Sequence, residues 1–133
     1  IADRMREYAV KVLDSKDITY QFDIPRDLPV LAIGPEARRN IFLIFKEALN
    51  NVLKHSSCTE MTVHFQTCDT TSLCLAIRDN GRGFDHNKVD KGMGLNNMRK
   101  RAQEIGAQVQ INSSPENGTE IEVILPLPKH GQQ

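Results

Sequence analysis

The sequence predicts a two-layer α/β sandwich, in which about three helices cover one face of a mixed, mostly antiparallel sheet of about five strands. Five short segments alternate apolar with polar residues, which is typical of strands that bury one face. Three longer segments carry apolar residues at helical spacing. The chain has 133 residues, of which 39% are apolar, and this length suits one domain with a modest core.

The helices are predicted at residues 1–14, from Pro35 to about Lys54, and at about 94–105. Proline suits the first turn of a helix, because its missing N–H would have no partner there in any case. Gly106 follows the last periodic residue of the third helix and is a typical C-terminal cap. The amphipathic pattern of each helix predicts that one face packs on the sheet.

The strands are predicted where apolar side chains recur at every second residue. The five strands lie at about residues 18–24, 61–66, 73–78, 109–111 and 121–125. A Cys-Asp-Thr-Thr turn joins the second and third strands, and a Ser-Pro-Glu-Asn-Gly turn joins the last two. The sequence therefore predicts two hairpins.

Composition excludes some classes of function. Lys and Arg together number 17, as do Asp and Glu, whereas a nucleic-acid-binding module usually carries a basic surplus. Even the longest apolar runs, such as Ile41–Phe45, are far too short to span a membrane. Because the first residue is Ile, we expect the chain to be part of a longer protein.

The chain has three cysteines, Cys58, Cys68 and Cys74, and no Cys-x-x-Cys motif. We expect all three to be buried or half-buried free thiols in a reducing cytosol. The four histidines do not lie at zinc-ligand spacing from these cysteines, so we expect no zinc site.

A polar stripe runs along the predicted second helix. On a helical wheel, Asn51 lies about 40° and His55 about 80° from Glu47, and Lys54 lies about 20° to the other side. A carboxylate, an amide, an ammonium group and an imidazole therefore share one side of the helix. A solvated helix face with partners at i and i+4 would look the same.

A glycine-rich segment, Asp79-Asn-Gly81-Arg-Gly83, directly follows a predicted strand. A carboxylate at a strand end, beside backbone without side chains, could accept a hydrogen bond from the exocyclic amine of adenine. Asn-Gly is also a strong turn signal. However, no alternating strand follows for more than twenty residues.

A second glycine cluster, Gly92-Met-Gly94-Leu95, immediately precedes the third helix. Glycine lets the backbone approach an anion, and a helix N-terminus offers unpaired N–H groups. The pattern therefore fits a phosphate cradle, although a flexible loop would look similar. The polar segment between the two clusters, from Phe84 to Lys91, is a candidate lid. Gly118-Thr119 opens the last strand, where it could also be only the end of a turn.

The order and spacing of these four segments over about residues 36–126 resemble the gyrase/Hsp90/histidine-kinase/MutL ATP-binding superfamily. The segments are similar to its N box, G1 box, G2 box and terminal Gly-Thr. Lys54-His55, together with Gly-Leu-Asn-Asn-Met-Arg-Lys-Arg-Ala from Gly94 onward, resembles the NarX-like branch of sensor histidine kinases. The resemblance implies the Bergerat-type version of the sandwich.

The resemblance also implies roles for the polar stripe. Asn51 would coordinate Mg²⁺, and Glu47 would polarise the attacking nucleophile or hold a metal-bound water. Lys54 and His55 would lie near the phosphates or the ribose. At position 50, where this branch often has a small hydroxyl residue, this chain has a second asparagine. Either Asn50 or Asn51 could therefore bind the metal, and the helical wheel favours Asn51.

At the other motifs, the resemblance implies that Asp79 reads the adenine amine, supported by Thr119 directly or through water. The glycine motifs would supply backbone that passes close to the base or caps the phosphates. These residues are Gly81, Gly83, Gly92, Gly94 and Leu95.

As a member of this family, the chain would bind Mg-ATP and donate the γ-phosphate to a histidine on a dimerisation domain that it lacks. No histidine lies on the first helix, so the isolated chain should not phosphorylate itself. Residues 1–16 would lead in from the dimerisation segment, 17–128 would form the catalytic domain and 129–133 a tail. We expect the fragment to be cytoplasmic and monomeric. Its parent protein, which can be anchored in the membrane, would serve a response regulator.

Two other functions share part of this pattern. A free-standing serine kinase that acts as an anti-sigma factor has similar boxes and a similar length. A nucleotide-independent interaction module with degenerate boxes would retain only the fold. Phosphorylation of a small protein partner on serine would indicate the first, and failure to bind ATP would indicate the second.

Overall fold

A computed structural model describes residues 2–14, 16–25, 33–56, 58–69, 71–83 and 94–127 of the chain. This part forms three α-helices, one short π-helix and five strands. In chain order they are α1 (Ala2–Leu13), β1 (Thr19–Asp23), α2 (Pro35–Asn51), the π-helix (Val52–Ser56), β2 (Glu60–Asp69), β3 (Ser72–Asp79), α3 (Leu95–Glu104), β4 (Gln108–Ser113) and β5 (Thr119–Pro126).

The five strands form one sheet in the order β1-β2-β3-β5-β4. The edge strand β1 runs parallel to β2, and every other neighbouring pair is antiparallel. The predicted mixed, mostly antiparallel sheet is therefore confirmed. The central strand β3 is hydrogen-bonded on both sides, so its end is fixed by two neighbours.

The hydrophobic core lies between one face of the sheet and the three helices. In β3, Leu73, Leu75 and Ile77 are buried, and they alternate with residues on the opposite face. Phe45 of α2 is fully buried and packs its ring edge-on against Phe22 of β1, at 6.2 Å between centroids. Each helix buries one stripe of side chains, which confirms the predicted two-layer sandwich. No helix within the described ranges is long and apolar enough to span a membrane.

The second helix differs from its prediction at its C-terminal end. The α-helix ends at Asn51, and the chain continues to Ser56 as a π-helix, whose hydrogen bonds span one residue more than those of an α-helix. The chain is therefore helical through Lys54, as predicted, but the helix type changes after Asn51. The wheel angles of Lys54 and His55, which assume an α-helix, do not hold because both residues follow this change.

The β2–β3 hairpin is longer than predicted and carries a disulfide. Cys68 and Asp69 belong to β2 rather than to the turn, and Cys68 is bonded to Cys74 with the two Cα atoms 5.6 Å apart. The expectation of free thiols was wrong for this pair. The strands extend beyond their alternating core, and this extension brings the two cysteines within bonding reach. Cys58 is buried, as expected, and lies outside this disulfide.

Candidate functional site

The ends of α2 and β3 lie at the same end of the sandwich. The chain leaves α2 through the π-helix and enters β2, whose first residues pair with the last residues of β3; Met61 lies opposite Asp79. Asn80 strengthens this junction. Its side-chain oxygen accepts hydrogen bonds from the backbone N–H groups of Thr59 and Glu60, both at 2.9 Å.

Asp79 is one of three buried polar residues in the described part of the chain, with 8% of its surface exposed. It continues the buried face of β3, so it lies on the face that the helices cover. Its Oδ1 accepts a hydrogen bond of 2.8 Å from the Gly81 backbone N–H. This bond fixes the carboxylate at the start of the glycine-rich segment.

Gly118 makes a close backbone contact with Asp79. Gly118 has a φ of +73°, and a methyl group on its Cα would overlap the Asp79 carbonyl oxygen. Thr119, the next residue, pairs directly with Asp79 across the sheet. Glycine is required at position 118 by both the left-handed backbone and the close approach.

A serine that the sequence analysis missed joins these segments. Ser113 Oγ lies 2.9 Å from Thr119 Oγ1 and donates to the Gly118 carbonyl oxygen at 2.9 Å. Gly83 packs against the same turn: a methyl group there would lie 3.0 Å from Ser113 Oγ and 2.8 Å from the Gly118 oxygen. Ser113 continues the alternating phase of Val109 and Ile111. A hydroxyl residue on the otherwise apolar side of this strand could therefore have been recognised in the sequence as a candidate site residue.

The polar side of α2 meets the N-terminus of α3. Gly94 is the N-cap residue of α3, with a φ of +67°, and a methyl group on it would overlap Glu47 Oε1 and lie 2.8 Å from Glu47 Cγ. The Glu47 carboxylate thus lies beside a helix N-terminus, where the helix dipole favours negative charge. Leu95 is buried behind this contact.

The two adjacent asparagines of α2 have different surroundings. Asn50 accepts a hydrogen bond of 3.0 Å from the Tyr8 hydroxyl of α1, so it contacts the first helix. Asn51, one turn after Glu47, is 7% exposed. Lys54, in the π-helix, is exposed.

Some predicted positions fall, wholly or in part, outside the described residues. Gly92 and the candidate lid from Phe84 to Lys91 lie outside the described residues. His55 belongs to the π-helix, but its side chain also lies outside the described part. Among the described positions, the structure brings together Asp79, Gly81, Gly83 and Thr119, and separately Glu47, Gly94 and Leu95.

Several solved structures share this fold. The blue-light activated histidine kinase of Erythrobacter litoralis EL346 aligns with a TM-score of 0.76 over 95% of this chain and 40% of its own, at 20% identity. The mycobacterial sensor histidine kinase MprB aligns with a TM-score of 0.71 over 94% of this chain and 91% of its own, also at 20% identity. At this identity, the alignments show the fold alone.

Sequence comparison finds nearer relatives. Sensor protein VraS of Staphylococcus aureus (strain COL) is 47% identical over 91 residues, which make up 68% of this chain and 26% of VraS. VraS of Staphylococcus saprophyticus is 36% identical over 130 residues, or 97% of this chain and 34% of that protein. The chain thus spans about a quarter to a third of the length of these relatives.

The sequence profile described as "Histidine kinase-, DNA gyrase B-, and HSP90-like ATPase" matches residues 36–129. This span contains α2 from its second residue onward, α3, strands β2 to β5 and every described residue of the candidate site. Because the match covers most of the chain and all four predicted motifs, the chain belongs to the family of histidine kinase-, DNA gyrase B- and HSP90-like ATPases.

Proposed function

We propose that this domain binds Mg-ATP and donates the γ-phosphate to a histidine on a dimerisation domain of its parent protein. The observation that supports this proposal is the position of Glu47 beside Gly94, at the N-terminus of α3. This contact places a carboxylate beside a helix N-terminus, a position that is suited to binding phosphate. The buried carboxylate of Asp79 lies at the same end of the sheet.

The adenine end of the proposed site is formed by the residues around Asp79. Its carboxylate accepts a hydrogen bond from the exocyclic amine of adenine, which a guanine base cannot donate from the same position. Gly81 and Gly83 allow the base to approach the backbone. Thr119, whose hydroxyl is already within hydrogen-bond distance of Ser113, supports Asp79 directly or through a water molecule.

The phosphate end is formed by α2 and the start of α3. The backbone N–H groups at Gly92, Gly94 and Leu95 cap the phosphates, and Lys54 and His55 lie near the phosphates or the ribose. Asn51 supplies an amide oxygen to Mg²⁺, which prefers oxygen ligands, and Glu47 lies one helical turn before it. When bound, Mg²⁺ neutralises the charge that develops on the transferring phosphoryl group.

Glu47 is the proposed catalytic residue. Its carboxylate polarises the attacking histidine or orients a metal-bound water. Because Glu47 contacts the N-cap residue of α3, it is close to the proposed position of the phosphates without being their main binding group. A loss of its charge should therefore affect transfer more than binding.

The proposed parent is a two-component sensor kinase. Residues 1–16 lead in from the dimerisation segment, 17–128 form the catalytic domain and 129–133 are a tail. The domain acts in the cytoplasm, as a monomer when isolated, and serves a response regulator through a parent that can be anchored in the membrane. The anti-sigma-factor alternative is not favoured, since the matched relatives are sensor proteins.

Titration with a fluorescent ATP analogue, with and without Mg²⁺, tests the proposal. We expect saturable binding that Mg²⁺ strengthens, competition by ADP and weak competition by GTP. Binding should place no acid-labile phosphate on the isolated chain. Absence of nucleotide binding by the folded domain would support a nucleotide-independent module instead.

Replacing Asp79 with asparagine is expected to weaken ATP binding by about 1–3 kcal/mol, because a hydrogen bond to a charged acceptor is lost. This corresponds to a rise in Kd of roughly 5- to 150-fold. Isothermal titration calorimetry measures the change. The matched control is Asp23→Asn, which removes an exposed carboxylate that contacts His64, and it should leave Kd unchanged. Equal competition by guanine and adenine nucleotides in the wild type would contradict the role of Asp79.

Replacing Asn51 with alanine is expected to remove the Mg²⁺ dependence of ATP binding. The loss of one metal ligand should raise Kd in Mg²⁺ at least about 10-fold, towards the value measured in EDTA. Asn50→Ala is the matched control, since it removes the adjacent amide and its bond to Tyr8 but should keep the Mg²⁺ dependence. If only Asn50→Ala abolished that dependence, the assignment of the two asparagines would be reversed.

A further inference from the structure

The Cys68–Cys74 disulfide lies at the end of the β2–β3 hairpin that is remote from Asp79. Cys74 is five residues before Asp79 in β3, which corresponds to about 17 Å along a strand. Register between β2 and β3 shifts between Thr67 and Asp69, at the position of Cys68. This disulfide is therefore separate from the candidate nucleotide site.

The two bonded cysteines differ in accessibility. Cys68 is exposed near the end of β2. Cys74 is 7% exposed, because it lies in the central strand between Gln66 of β2 and Ile124 of β5. An external thiol or disulfide can therefore reach the Cys68 sulfur far more easily than the Cys74 sulfur.

The turn beside the disulfide is well defined. The Thr71 hydroxyl and backbone N–H both donate to Asp69 Oδ1 at 2.7 Å. The hydroxyl bond is the main cause that holds the pKa of the Asp69 carboxyl below its ordinary value. The Leu127 backbone N–H donates to the Thr71 carbonyl oxygen at 2.6 Å. Because these bonds hold the turn independently of the disulfide, we expect the two cysteines to stay close to each other after reduction.

We propose that Cys68 and Cys74 form a reversible thiol–disulfide exchange site for low-molecular-weight thiols, with Cys68 as the entry point and Cys74 as the resolving thiol. In oxidation by glutathione disulfide, the Cys68 thiolate attacks one glutathione sulfur, forms a mixed disulfide and releases one glutathione thiolate. The Cys74 thiolate then attacks the Cys68 sulfur and releases the second. Two electrons pass from the cysteine pair to glutathione disulfide, and the two released thiolates take up the two thiol protons.

Reduction follows the reverse path. A glutathione thiolate attacks the exposed Cys68 sulfur, Cys74 leaves as the thiolate, and a second glutathione thiolate attacks the glutathione sulfur of the mixed disulfide to release Cys68. The disulfide closes a short loop and stabilises the fold mainly by restricting the unfolded chain. Reduction should therefore lower the Tm, by roughly 5–10 °C for a domain of this size.

The test treats the reduced chain with glutathione disulfide, blocks the remaining thiols with N-ethylmaleimide and maps the peptides by mass spectrometry. In the wild type we expect a Cys68–Cys74 disulfide and no stable glutathione adduct. In Cys74→Ala, which adds no hydroxyl to a buried position, we expect a stable adduct at Cys68. In Cys68→Ser, the adduct at Cys74 should form at least about tenfold more slowly, because that sulfur is shielded.

Cys58, which is 8% exposed, is the internal control for a buried thiol and should react as slowly as Cys74. A second measurement compares melting with and without dithiothreitol: the wild type should shift, and Cys68→Ser should not. Equal adduct rates at Cys68 and Cys74 would overturn the proposal. The proposal would also be overturned if both wild-type thiols still reacted with N-ethylmaleimide after oxidation. The same holds if the melting temperature of the wild type did not respond to the reductant.

Discussion

Replacing Gly118 with alanine is expected to lower the free energy of unfolding by about 3 kcal/mol or more. Two costs combine at this position. A non-glycine residue in the left-handed region costs roughly 1–2 kcal/mol, and Gly118 has a φ of +73°. The added methyl group would also overlap the Asp79 carbonyl oxygen, which belongs to a central strand hydrogen-bonded on both sides and cannot move without disturbing the sheet.

Gly106→Ala is the matched control for this change. Gly106 also has a φ of +73°, but no atom lies within 4 Å of the position that its methyl group would occupy. Gly106→Ala should therefore lose only about 1–2 kcal/mol, the cost of the left-handed backbone alone. Urea denaturation with an unchanged m-value measures both losses. Equal losses would show that the contact with Asp79 relaxes without cost.

Gly118→Ala should also weaken ATP binding under the proposed function, since relief of the overlap moves the end of β3 and with it the Asp79 carboxylate. Gly106→Ala leaves that region unchanged and should bind ATP like the wild type. Both variants are compared at a temperature where each is folded. If Gly118→Ala bound ATP with wild-type affinity, the adenine base would have to bind at a site other than Asp79.

The sheet and helices could be predicted because burial imposes a period on the sequence. Phe22, Val63, Leu75 and Val123 lie in alternating segments, and each is at least partly buried on the core face of its strand. The ends of elements were less predictable. Nothing in the apolar pattern around Val52 distinguishes an α-helix from a π-helix, since both bury Val52 after Leu49.

Contacts between residues far apart in the sequence could not be predicted from the periodic pattern. The side chain of Asn80 bonds the first residues of β2, yet Asn-Gly on its own indicates only a turn. The Cys68–Cys74 bond depends on how far β2 and β3 extend past their buried residues, which periodicity does not define. The motifs of the candidate site were visible because glycine and polar residues interrupt the apolar pattern at Asp79 and Gly94.

Replacing Glu47 with glutamine is expected to slow phosphotransfer by roughly 100- to 10,000-fold, the usual contribution of a general base. Glutamine keeps the size of the side chain and one acceptor oxygen, so the packing against Gly94 is retained. It removes the negative charge that would polarise the attacking histidine. The measurement joins the domain to histidine-containing dimerisation helices and follows transfer of radiolabelled phosphate from ATP.

The comparison of transfer with binding decides the role of Glu47. ATP binding by Glu47→Gln, measured by calorimetry, should change less than about 5-fold, or about 1 kcal/mol. Glu36→Gln, which neutralises an exposed carboxylate in the first turn of the same helix, should alter neither quantity. A large loss of binding by Glu47→Gln would mean that the carboxylate is mainly a ligand of the metal or nucleotide. An unchanged transfer rate would exclude Glu47 as the base, because a group that removes a proton in the transition state cannot lose its charge without slowing the step.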